Sequence, residues 1–385
     1  MKTRFEWILI AGAVGLLLII PVSLPYPIGK IDFPAYWSAG YLLAHGENFA
    51  DPVGIFQIEK MLTTRQEDYP MLTWNPPWLL VLLIPYTWVS FDHAVWWWLL
   101  TNITLVFLSA VVMWQISAAN ERSRRFAFGA PLIAFAYSPT LMALIAGQVN
   151  LIVLAGLAGF LWFHSKLQFG RAGMALALTL VKAHLVYITV PLVLLYAVRK
   201  RQWRLLVGFF GELVVLSAIV FLLRPTFLSE YSGALSGGGL LNYITPTAGG
   251  ILALVFGWNG FKLMGLLLLP LGVWISWRAG SWQISTLVDI TLLASIITAP
   301  FGWSYDFVIL LVPIIHAIVC LVEGKLPRVE SFLIGGIFLF ADGLMFYQRL
   351  QSPSEEYFFW VPLLVAGLII WVWVRQNRMT NEKII

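Results

Sequence analysis

Lys182 and His184 stand two residues apart in an otherwise apolar stretch, and Asp32 precedes a segment that reads as a short helix. A carboxylate can take a proton from a hydroxyl, and an ammonium beside an imidazole can hold an anionic oxygen. Other chemistries are harder to build from this chain. It has no GxxxxGK[ST], GxGxxG or Gly-x-Ser-x-Gly motif, and no His, Cys, Asp and Glu at metal-ligand spacing. Its one cysteine, Cys320, lies in an apolar run, so no disulfide, thiol cluster or redox pair is expected. Neither a metal nor a cofactor is expected.

The composition says what must position these groups. Of 385 residues, 60% are hydrophobic and 11% charged, where a soluble domain has about 25% charged. The expectation is an all-α polytopic membrane protein, a single transmembrane domain over 1–385. One crossing takes roughly 20 apolar residues, and apolar runs begin at 5–24 and end at 357–374, giving about 12 spans. The first, with Lys2 and Arg4 before it and no small-residue cleavage site, reads as a retained span rather than a signal peptide. The net charge of +5 comes from short basic clusters between the runs, the pattern that orients a membrane protein and not a nucleic-acid face.

Those clusters fix the sidedness. Residues 76–88 hold Pro76, Pro77 and Pro85 and are too short to cross. If they stay on one side, the clusters at Arg122–Arg125 and Arg199–Arg204 and both termini are cytoplasmic. The segment 25–94 is then a first outer loop, and 224–260 a second. Arg171 and Arg199 both belong inside, so the chain between them must go out and return. Each leg has about 13 residues, roughly 20 Å, short of a 30 Å core. The turn, holding Lys182 and His184, would form the floor of an outward cavity. One long tilted helix with Lys182 snorkelling is the alternative.

Other polar residues gather at the same end. They are Asn75, the Gly147-Gln148-Val149-Asn150 turn, Trp303 and Asp306 in Gly302-Trp303-Ser304-Tyr305-Asp306, and Arg224. Pro34 and Gly46 bound a helix of about 34–45 along the membrane surface. Asp32 either caps that helix or presents its carboxylate at the headgroup level. Glu212, Asp289 and Asp342 lie within spans, as a proton path or as interhelical hydrogen bonds.

In this order the motifs resemble glycosyltransferase family 87, the polyprenyl-phosphate-mannose-dependent mannosyltransferases of the GT-C superfamily. The matching stretches are Asp32-Phe33-x-x-Tyr36-Trp37-x-Ala39, Asn75-Pro76-Pro77-Trp78, Gly147-Gln148-Val149-Asn150, Lys182-Ala183-His184 and Pro300-x-x-Trp303-Ser304-Tyr305-Asp306. The chain departs at Ala183, where the family often has Pro, and at Tyr305-Asp306, where it often has His. The resemblance implies a GT-C-like bundle whose first outer loop carries interfacial helices, and a catalytic Asp at the position of Asp32. It also implies a lipid-linked sugar donor, a glycan or glycolipid acceptor entering from the outer face, and membrane lipids as surroundings. No nucleic acid partner is implied.

For such a reaction one carboxylate suffices as base, because a lipid phosphate leaves without an acid; this gives a single displacement with inversion. Asp32 would be the base. Lys182, with His184 or Arg224, would offset charge on the phosphate, and Tyr36, Trp37, Asn75, Gln148, Asn150, Trp303 and Asp306 are candidates for holding substrate. A lipid or sugar transporter or flippase is the alternative, and inverted repeats with a midplane site would favour it.

Overall fold

The structure is a computed structural model describing residues 29–63, 69–237, 239–279, 283–351 and 354–382. The expected first span at 5–24, and with it the side of the N-terminus, lies outside the described residues. Those described contain helices and no strand, as a chain must where no water satisfies its backbone.

Three short helices come first: α1 (Phe33–Ala44), α2 (Pro52–Leu62) and α3 (Trp78–Leu83), the last continuing as a 3-10 turn over Ile84–Trp88. Residues 78–88 make a short apolar helix, below crossing length. α4 (Phe91–Ser117) is the first long helix, and a single turn at Glu121–Arg124 follows. Next come α5 (Ala130–Ala136), α6 (Ser138–Ala146), α7 (Asn150–Ser165), α8 (Phe169–Leu178), α9 (Thr189–Arg199) and α10 (Trp203–Leu223). The second half holds α11 (Phe227–Gly237), α12 (Ala248–Phe256), α13 (Leu268–Ala279), α14 (Ile284–Thr298), α15 (Leu311–Val322), α16 (Arg328–Gln351) and α17 (Trp360–Glu382).

Among the described residues, five helical stretches are long and apolar enough to cross a membrane: Phe91–Ser117, Trp203–Leu223, Ser304–Val322, Arg328–Gln351 and Glu355–Arg378. Apolar side chains point outward on them, with Leu222 79% and Phe332 80% exposed, which is the surface a lipid-facing helix needs. Several of the expected spans are shorter than a full crossing, among them α7, α9 and α14. The run 127–146 is not straight but two helices bent by 70°. Pro139 heads α6, Tyr137 before it is extended, and the freed Ser138 N–H donates to Asp342 Oδ1 at 2.8 Å. Asp342 therefore satisfies a helix break. Asp289 instead meets His316 Nδ1 at 2.7 Å.

The chain between Arg171 and Arg199 does turn back on itself. His164, near the end of α7, lies 5.3 Å from the Phe169 ring at the start of α8 and 6.1 Å from Tyr196 near the end of α9. Between them runs a 3-10 stretch, Thr179–Leu185, in which Lys182 leaves helical geometry at φ −134°, ψ 67°. One continuous helix is thereby excluded. The outgoing leg sits close against α10 because glycines meet there: a Cβ on Gly173 would fall 2.0 Å from the Leu205 carbonyl oxygen.

Candidate active site

Asp32 occupies the N-cap position of α1, yet its side chain makes no capping bond. It turns instead to Gln148, whose Nε2 donates to Asp32 Oδ2 at 2.5 Å. One helical turn on, the Tyr36 hydroxyl donates to the other end of the same amide, Gln148 Oε1, at 3.1 Å. Burial first, then the Asp32 and Asp306 charges, hold the Tyr36 phenol well above its ordinary range. It remains a donor at any working pH, which fixes the amide with its N–H groups toward the carboxylate.

Backbone bonds set the distance. Gly29 N donates to Ile145 O at 2.7 Å and Asp32 N to Ala146 O at 2.8 Å, so the start of α1 is pinned to the end of α6. The close approach requires Gly147, which sits at φ +73° with room for no side chain: a Cβ there would lie 2.9 Å from Phe33 Cβ. Gly147→Ala is expected to cost about 1–2 kcal/mol from the backbone alone and more from the contact. A lowered thermal midpoint together with lost transfer activity would bear this out; an unchanged midpoint would refute it.

Lys182 lies deeper. It is 3% exposed, and its Nζ donates to Asp306 Oδ1 at 2.7 Å. Asn150 Nδ2 reaches that same oxygen at 3.1 Å, and the backbone N–H of Trp303 donates to Oδ2 at 3.0 Å. Asp306 is thus fully engaged. The ammonium also rides over the Tyr305 ring at 5.1 Å. Asn75 Nδ2 holds the hairpin tip through Val181 O at 2.7 Å. The His184 ring packs 4.0 Å from Phe301, and its Nε2 is buried without a hydrogen-bond partner.

A cavity of about 270 Å³ joins these groups. Asp32, Tyr36, Asn75, Gln148, Lys182, His184 and Trp303 all line it, although they come from widely separated parts of the chain. Four expected site residues do not. Trp37 points the opposite way from Tyr36, donating to Tyr86 O at 3.0 Å. Asn150 and Asp306 stand behind Lys182 rather than on the wall. Arg224 is spent elsewhere: its guanidinium pairs with Glu230 at 2.6 Å and donates to Gly46 O at 2.9 Å, tying the segment after α10 to the end of α1. The reason is local, since Glu230 lies six residues further on, in the first turn of α11.

Residues not singled out from sequence complete the wall, notably Tyr69, Trp74, Tyr243, Phe301 and Tyr305. Glu59 accepts from Met71 N at 3.1 Å and so holds the 69–76 strip over the opening. Tyr305 stacks on Trp303 at 15°, and Trp74 meets Tyr243 edge to face. In a chain with 19 Trp, 13 Tyr and 26 Phe, nothing in the residue types marks these out. The wall offers a carboxylate, one ammonium and aromatic faces, which suits a polar ring carrying an anionic group.

A family model matches residues 73–303. The chain belongs to glycosyltransferase family 87. It is a membrane glycosyltransferase, with a sugar donor and an acceptor as its substrates. The family 87 match contains Asn75, Gln148, Lys182, His184 and Trp303 of the cavity wall, while Asp32 and Tyr36 precede it. No curated protein and no solved structure matches the chain.

Proposed function

We propose that this family 87 enzyme transfers a hexose, mannose by its resemblance, from a polyprenyl phosphate to a hydroxyl of a glycan or glycolipid, with inversion. The observation that carries this reading is Asp32, uncapped and turned by Gln148 onto the wall of a cavity that also holds Lys182. Asp32 takes the proton of the acceptor hydroxyl as that oxygen bonds to the anomeric carbon. The bond from that carbon to the phosphate oxygen breaks on the opposite face, and the lipid phosphate leaves with the electron pair. Lys182 keeps two N–H groups beyond the one given to Asp306, and these meet the leaving phosphate, with His184 beside them on the cavity wall.

The polyprenyl chain lies among lipid tails, where burying its CH₂ groups needs no dedicated pocket. The direct experiment follows radiolabelled sugar from polyprenyl-phosphate mannose, and from glucose and galactose counterparts, in detergent. Transfer from none of the three would remove the reading.

The same reading puts the cavity on the outer face of the cell membrane and the termini in the cytoplasm. Asp92 pairs with Lys30 at 2.7 Å and is 77% exposed. In a Cys320→Ala background, Asp92→Cys is expected to react with an impermeant maleimide added outside intact cells. Reaction only after the cytoplasmic side is opened would reverse the orientation.

A further inference from the structure

A second cavity lies at the opposite end of the bundle, where α4 and α7 finish at Ser117 and Ser165 and α14 begins. Its volume is about 790 Å³, nearly three times that of the Asp32 cavity. The Asp289–His316 pair is on its wall. Asp289 is 2% exposed; Oδ2 is taken by His316, whereas Oδ1 is buried with no hydrogen-bond partner. A buried carboxylate oxygen left without a donor is costly, so the position calls for a ligand that brings one.

The lining narrows the class. None of the described residues lining it is Lys or Arg, so no ammonium or guanidinium offsets a phosphate or carboxylate ligand. Among the described residues, Asp289 is the lone carboxylate on the wall and is already bonded to an imidazole, and no three His, Cys, Asp or Glu converge to hold a metal ion. What remains is neutral hydrogen-bonding surface: Gln283, Ser285, Thr286 and Asn377 beside apolar Ile290 and Trp373. Gln283 makes no side-chain cap on α14, whose first N–H groups are therefore donors toward this end. Hydroxyls suit the acceptors, and the C–H face of a ring suits Ile290 and Trp373.

We infer that this cavity binds a neutral polyhydroxylated compound, a free sugar or the uncharged glycosyl headgroup of a lipid, with one hydroxyl donating to Asp289 Oδ1. The assignment is independent of the proposed transfer reaction. Cys320, the one cysteine of the chain, lines the same cavity and reports on it. The full chain in a zwitterionic, sugar-free detergent is treated with a maleimide in the presence of mannose, myo-inositol or octyl glucoside, with choline and inorganic phosphate as charged controls.

At ten times a dissociation constant on the order of 1–10 mM, the neutral compounds are expected to slow Cys320 modification roughly tenfold. Protection by the free sugars identifies a soluble ligand and protection by octyl glucoside alone a lipid headgroup, and either supports the site. Asp289→Asn, which leaves one acceptor oxygen where His316 and the ligand need two, should weaken protection, and so should Gln283→Ala, which leaves the Asp289–His316 bond intact. Asp32→Asn should leave it unchanged, which separates this site from the first cavity. No protection by any neutral compound, protection by choline or phosphate alone, or full protection persisting in both Asp289→Asn and Gln283→Ala would overturn the inference.

Discussion

Asp32→Asn is expected to lower sugar transfer by about 10² to 10⁴ with little change in thermal midpoint or in donor binding. Asn keeps the size of the side chain and can still accept from Gln148, so the tie between α1 and the Gly147–Asn150 turn survives. What is lost is the capacity to take a proton. The capping role that Asp32's position invites would predict a different outcome, unchanged stability and normal turnover, because Asn caps a helix as well as Asp does. Since Asp32 makes no such cap, the two outcomes separate cleanly in one variant. Near-normal transfer by the purified protein would end the general-base assignment.

The second large effect is on stability. Asp306→Ala leaves the Lys182 ammonium, 3% exposed, without its carboxylate, and breaking a buried pair from one side costs about 3–5 kcal/mol. The protein is expected to unfold at markedly lower temperature, or to fail to accumulate. Replacing both partners, Lys182→Met with Asp306→Leu, should recover most of that stability, because neither charge is then buried alone. Transfer should stay lost in the double variant, as the phosphate has no ammonium to meet. A stable Asp306→Ala protein would show that the pair does not organise the site, and an active double variant would remove Lys182 from donor binding.

The part of this arrangement that the sequence reveals is the part set by lengths and charge signs. Two basic flanks with too few residues between them force a turn below the surface, and Lys182 is found out of helical geometry inside it. Pro34 and Gly46 bracket α1 for reasons of backbone geometry alone, and Gly46 indeed has φ +70°. The bend at Tyr137 is less legible. Pro139, in the middle of the run, signals a break but not its angle, and the partner that stabilises the break, Asp342, is 204 residues from Ser138.

Arg224 shows the opposite failure. Its charge and its place at an outer helix end suit a phosphate, and only side-chain packing reveals that Glu230 and the Gly46 carbonyl take it first. The engagement of Asp306 by three donors is likewise a property of three segments meeting, which no local pattern carries.

The turn from Gly147 to Asn150 contacts both halves of the site. Gln148 holds the carboxylate of Asp32, and two residues later Asn150 holds the carboxylate that carries Lys182. Two side chains 150 positions apart in the chain are therefore gauged from one short datum, as two parts are located from one edge of a jig. Errors in the long path between them do not accumulate. Segments that touch neither the turn nor the hairpin tip, such as the lipid-facing faces of the long helices, can drift in sequence while the spacing of the two groups stays put.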